Sequence, residues 1–131
     1  MALAIFDLDN TLIAGDSDHC WGEFLIDQKK VNPSEYRAMN DKFLADYEAE
    51  KLDISAYLEF SLSPLINMTT TELNQLHEKF MAQVIEPMKL SQANELIEKH
   101  RQSGDRLLVI TATNRLVVEP IIASLDIDEF L

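Results

Sequence analysis

Two aspartates two residues apart, Asp7 and Asp9, close an apolar run and are followed by Thr11 in the stretch LAIFDLDNTL. A buried strand that ends on a D-x-D-x-T turn places two carboxylates and a set of backbone N–H groups at one sheet edge. The carboxylate at the strand end can attack phosphorus and form an aspartyl phosphate, which splits hydrolysis into two easier steps. The second can protonate the leaving alkoxide and then deprotonate the water that cleaves the intermediate. A hard cation such as Mg²⁺, held partly by carboxylate oxygen, lets an anionic nucleophile approach an anionic phosphate. Thr111 closes a second apolar run, residues 107–110, and its hydroxyl can donate to a phosphoryl oxygen. The N–H groups that follow, beginning with that of Ala112, stand at a helix N-terminus and suit the same anion.

The elements that must position these groups are two short strands separated by helices. Residues 3–6 and 107–110 are continuous apolar runs of the kind expected for parallel strands buried on both faces. Between them the apolar residues recur at helical spacing. One stripe is Trp21, Phe24 and Leu25; a second is Tyr36, Met39, Phe43 and Tyr47, with Pro33 at the first helical position after Asn32. A third is Ile54, Tyr57, Leu58, Ser61 and Leu65. Thr69 and Glu72 make a capping-box pattern ahead of Leu73, Leu76, Phe80 and Val84, and Pro87 is expected to break that helix. A fifth stripe (Leu90, Ala93, Ile97) runs to Gly104 as a C-cap, and a last helix spans about 115–125. One crossover helix needs far fewer residues than lie between the two strands. The economical reading is an α/β core made of residues 1–17 and 88–131, with 18–87 inserted as a helical lid over the carboxyl end of the first strand.

Composition bounds the rest. The chain has 131 residues, 47% of them hydrophobic, only three glycines and four prolines, and no low-complexity stretch, as expected of a compact domain. No run is long enough to span a bilayer, no signal peptide is evident, and the single cysteine, Cys20, cannot form an internal disulfide; a cytoplasmic location is expected. A net charge of −12 argues against nucleic acid and anionic membranes as partners.

DLDNT (residues 7–11) resembles the first motif of the haloacid dehalogenase-like phosphohydrolases, and ITATN (residues 110–114) resembles their second. The helical insertion directly after the first motif is similar to the cap of their phosphoserine-phosphatase-like branch. The resemblance implies a Rossmann-like core with parallel strands and an inserted α-helical cap. It implies Asp7 as nucleophile, Asp9 as acid and base, and Mg²⁺ bound by Asp7 and the backbone carbonyl of Asp9. Thr111 and Ala112 would bind phosphate, Thr11 would shape the loop, and residues 13–18 would form the flexible segment that opens and closes the site. Asp16 falls where the phosphoserine phosphatases carry an acid that contacts the substrate amine. The chain departs from the family in three ways. It has no lysine after Lys99, where the third motif requires one, and Ala112 replaces a glycine. The acids of the fourth motif are also unmatched, because Asp126, Asp128 and Glu129 follow a helix with no apolar strand before them and read as a loop.

The implied function is Mg²⁺-dependent hydrolysis of small phosphorylated metabolites, with a preference for an amine-bearing substrate such as phosphoserine or histidinol phosphate. The chain reads as the N-terminal portion of such an enzyme, expected to be inactive or nearly so by itself. The first strand would then keep a bare edge, which invites self-association or completion by a missing C-terminal part. The alternative is a non-catalytic module that oligomerises or binds phosphate and Mg²⁺. A receiver domain phosphorylated on Asp7 fits poorly, because it would not carry so long a helical insertion. Outside the motifs, Asn114 reads as a helix cap, Arg37 and Lys51 as surface cations that can reach a substrate carboxylate, and His19, His77 and His100 as histidines without ligand spacing.

Overall fold

The computed structural model describes residues 2–131. The chain divides into two compact units: one made of the residues up to Ser17 and Met81–Leu131, the other of Asp18–Phe80.

The first unit is an α/β layer. Strand β1 (Leu3–Asp7) pairs in parallel with β2 (Arg106–Ile110), which pairs in parallel with β3 (Glu129–Phe130), in the order β1-β2-β3. Two helices make the crossovers, α6 (Ser91–Gln102) before β2 and α7 (Arg115–Ser124) after it. Both connections move the chain the same way across the sheet, so right-handed crossovers put both helices on one face. Ala4 and Phe6 point to that face and are buried, and Phe6 meets the His100 ring of α6 edge-on at 5.9 Å. Val109, registered with Phe6, is fully buried, as are Val117, Val118, Ile121 and Ile122 of α7. Helix α6 ends as its Gly104 demanded: with φ at 76°, Gly104 donates to the Arg101 carbonyl while Asp105 donates to that of His100.

Three expectations are corrected in this unit. The strands are not buried on both faces: Leu3 and Ile5 are 51% and 55% exposed and Ile110 is 45% exposed, on the face opposite α6 and α7. Pro87 does not break its helix. Residues Met81–Ile85 form a π-helical turn and Glu86–Met88 a final α-helical turn, α5, with Lys89 the first extended residue. A proline in the first turn of α5 sits where its missing N–H is tolerated. Glu129 is not in a loop; it belongs to β3, where Arg106 grips its carboxylate with two bonds of 2.6 and 2.7 Å.

The second unit is helical: α1 (Ser17–Asp27, entering from the first unit), α2 (Pro33–Glu48), α3 (Ile54–Leu62) with a 3₁₀ turn (Ser63–Leu65), and α4 (Thr70–Phe80). Local chemistry fixes the helix starts. Asn32 caps α2 by accepting the Glu35 N–H, and Pro33 takes the first helical position. Thr69 and Glu72 bond reciprocally, at 3.0 and 3.1 Å, as a capping box. Two aromatic clusters fill the interior: Trp21, Phe24, His77 and Phe80, and Tyr36, Phe43, Tyr57 and Phe60. His77 stacks on Trp21 at 4.9 Å, and burial pushes its imidazole below the ordinary 6.5. Burial, helped by the nearby Asp18 carboxylate, pushes the Tyr36 phenol up to about 12.

Candidate active site

The two motifs meet because β1 and β2 are neighbours in register. Asp7, the last residue of β1, is opposite Ile110, so Thr111 lies one residue beyond it on the adjacent strand. Asp7 is exposed, and its Oδ1 accepts the Leu8 N–H at 2.9 Å. Thr111 is half-buried; its hydroxyl oxygen accepts the Thr113 N–H at 3.1 Å, which leaves the hydroxyl proton to donate outward. Its own N–H donates to the Leu131 carbonyl at 3.1 Å, so the strand continues one step past the assigned β2.

The segment after Asp7 folds back on itself. Leu12 donates to the Leu8 carbonyl at 2.9 Å and Asn10 to that of Gly15 at 3.0 Å. Asn10 and Gly15 take φ values of 57° and 137°, conformations that suit these two residue types. Leu8, Leu12 and Ile13 are buried beneath the turn, while Thr11 is exposed and donates its N–H to the Leu8 carbonyl. Residues on either side of Ile13 bond with the chain after α5: Ala14 donates to Met88 at 2.8 Å and Leu90 to Leu12 at 3.3 Å. The carboxylates therefore stand on a turn anchored by apolar burial below and a short bridge at its side.

Asp9 is held on both oxygens. Oδ1 accepts the Ser17 N–H at 2.8 Å and Oδ2 accepts the Thr113 hydroxyl at 2.7 Å. The Ser17 and Thr113 hydroxyls are 3.0 Å apart, and both residues are buried. Neither Ser17 nor Thr113 was singled out in the sequence. The second threonine of T-x-T in residues 111–113 is the available signal; Ser17, between Asp16 and Asp18, carries none. Asp16 is half-buried and lies immediately before Ser17.

Asn114 caps α7 as expected, accepting the Val117 N–H at 3.2 Å, so the first-turn N–H groups of α7 follow directly on Thr111 and Ala112. Ala112 is exposed and is not among the non-glycine residues with positive φ, so its side chain costs the turn no backbone strain. The donors along this edge are carboxylate and carbonyl oxygens, a set that fits a hard divalent cation such as Mg²⁺ better than a softer metal. On the helical unit, His19 bonds Asp41 at 2.9 Å, and with Glu23 their ligand atoms lie within 4.8 Å of one another; Glu23 is also paired with Arg37 at 3.2 Å. Arg37 is thus already neutralised by a carboxylate.

Known proteins resemble this chain along nearly its whole length. A curated histidinol-phosphatase of Neisseria meningitidis serogroup C (strain 8013) is 44% identical over 119 residues, which is 91% of this chain and 54% of that protein. A crystal structure of a Bordetella pertussis Tohama I protein of unknown function superposes with a TM-score of 0.87 at 35% identity, covering 98% of this chain and 58% of that one. A structure described as a phospho-aspartyl intermediate analogue of phosphoserine phosphatase shares the fold, with a TM-score of 0.65 at 17% identity over 99% of this chain and 55% of that one. The chain thus spans little more than half the length of the relatives it matches. The family model described as haloacid dehalogenase-like hydrolase matches residues 4–131, and with both of its motif turns at the ends of adjacent parallel strands the chain belongs to that family.

Proposed function

We propose that this chain carries the nucleophile, the acid/base and the phosphate-binding turn of a Mg²⁺-dependent phosphomonoesterase. The observation that carries this reading is the register of Asp7 against Ile110, which sets a carboxylate beside the Thr111 turn, with Asp9 fixed two residues on. An Asp7 oxygen attacks phosphorus, the bond from phosphorus to the ester oxygen breaks, and Asp9 gives its proton to the departing alkoxide. Asp9 then takes a proton from water, whose oxygen attacks phosphorus and releases Asp7 and inorganic phosphate. Thr111, the Ala112 N–H and the start of α7 hold the phosphoryl oxygens through both steps. The Asp7 carboxylate and the Asp9 carbonyl would hold Mg²⁺, which when bound would supply charge neutralisation between nucleophile and phosphate.

The substrate class is small phosphorylated metabolites with an amine, histidinol phosphate first. Support comes from the 44% identity to a histidinol-phosphatase and from the acidic Asp16 next to the site. Residues 18–87, read from the sequence as an inserted cap, would then select the substrate. With no lysine after Lys99, residues 1–131 are expected to turn over poorly by themselves and to gain activity when the remaining part of a family core is supplied.

The test is phosphate release from histidinol phosphate, phosphoserine and a neutral phosphomonoester, with and without Mg²⁺, for the chain alone and joined to the C-terminal part of the 44% identical relative. Activity in the completed protein that disappears with Asp7→Asn or a chelator is the expected result. A completed protein that is inactive, or that keeps its activity with Asp7→Asn, refutes the mechanism. Equal turnover of amine-bearing and neutral substrates refutes the substrate class.

A further inference from the structure

Building on the proposed role of Asp9, we infer that Thr113 is a positioning residue for that carboxylate, acting together with Ser17. A carboxylate that must give and take a proton within one cycle has to be aimed, and on a turn its side chain is free to rotate unless something holds it. Here two bonds hold it from two directions. The Thr113 hydroxyl reaches Oδ2 at 2.7 Å from the turn after β2, and the Ser17 N–H reaches Oδ1 at 2.8 Å from the first residue of α1. The Ser17 hydroxyl, 3.0 Å from that of Thr113, orients the latter so that one buried hydroxyl pair serves one carboxylate.

Thr113 joins the two halves of the site. Its N–H is bonded to the Thr111 hydroxyl oxygen, so the residue that aims the acid/base also turns the phosphate-binding hydroxyl outward. Thr113 donates to the carboxylate, and its hydroxyl oxygen is left to accept from Ser17. Valine at this position would keep shape, β-branching and the N–H bond to Thr111 but lose the hydroxyl bonds to Asp9 and Ser17, whereas serine would keep them.

The experiment compares Thr113→Val, Thr113→Ser and wild type by two readouts. The first is NMR of the 131-residue chain: the Ser17 amide and the Asp9 side-chain carboxyl carbon, assigned against Asp9→Asn. In Thr113→Val the Asp9 carboxyl resonance should move and Ser17 amide exchange should rise about tenfold, the loss of one ordinary hydrogen bond; Thr113→Ser should match wild type. The second is steady-state hydrolysis by the completed protein, where Thr113→Val should lower kcat by roughly 10–100-fold with KM within about twofold, and Thr113→Ser should restore it. Unchanged Asp9 and Ser17 resonances in Thr113→Val overturn the inference, as does an unchanged kcat in an active enzyme. The NMR readout decides the positioning even if no substrate is hydrolysed. Failure of the phosphatase reading would instead appear as inactivity or as Asp7→Asn retaining wild-type turnover.

Discussion

Gly22→Ala should destabilise the helical unit even though it replaces a helix breaker inside a helix. Gly22 sits mid-way along α1, and a Cβ built there would lie 2.5 Å from Asn40 Nδ2 and 2.6 Å from its Cγ and Oδ1. Asn40 is 3% exposed and donates from Nδ2 to the His19 carbonyl at 3.0 Å, so its amide cannot move aside without losing a buried bond. Helix propensity alone favours alanine by about 0.8–1 kcal/mol. Overpacking costs about 1–3 kcal/mol, and a buried amide left without a partner about 1–3 kcal/mol. The two costs share one displacement and do not fully add, which leaves a net loss of about 1–3 kcal/mol. Urea unfolding followed by the fluorescence of Trp21 reads this directly. It is the only tryptophan, it is 1% exposed, and it lies in the same unit. The midpoint should fall by roughly 1 M for a loss of that size. In an Asn40→Ala background the same glycine change should become neutral or stabilising, because the clash is gone and propensity remains. A Gly22→Ala chain more stable than wild type, or an equal penalty in both backgrounds, would refute the reasoning.

Two further outcomes follow from burial and exposure. The His77 imidazole is pushed below 6.5 by burial against Trp21, so the unfolded chain binds a proton that the folded one resists. Stability from this group is complete above about pH 6.5 and is lost as pH falls below it; His77→Phe, which keeps a ring on Trp21, should flatten that slope in melts at pH 7.5 and 5, and an unchanged slope would sink the assignment. On the sheet, Leu3 and Ile5 of β1 and Ile110 of β2 leave exposed apolar side chains, with β1 at the edge of the sheet among the described residues. Sedimentation velocity of the 131-residue chain should show association that Ile5→Lys reduces; a wild-type chain that stays monomeric at high concentration counts against it.

The sequence by itself determined the pieces governed by short-range chemistry. The apolar runs ending in Asp7 and Thr111, the Asn32–Pro33 helix start, the Thr69–Glu72 capping box and the Gly104 C-cap are all present where the residues called for them. Each depends on sterics or hydrogen bonds within a few residues, so a reader of the chain has every participant in view. What tertiary structure alone decided was who meets whom across long separations. Strand β3 is two residues long and has no apolar run; it exists because Glu129 and Phe130 find β2. Helices α6 and α7 share one side of the strands because both crossovers turn the same way, a property of topology that no run of apolar residues encodes. The clamp on Asp9 joins residues 104 positions apart, and the close pass of Gly22 against Asn40 joins two helices, so neither leaves a pattern at any fixed spacing. The proposed chemistry was legible because the residues offered as nucleophile, acid and phosphate turn are written in contiguous motifs. Their alignment was not, because a carboxylate's orientation is set by whichever donors the fold brings to its two oxygens.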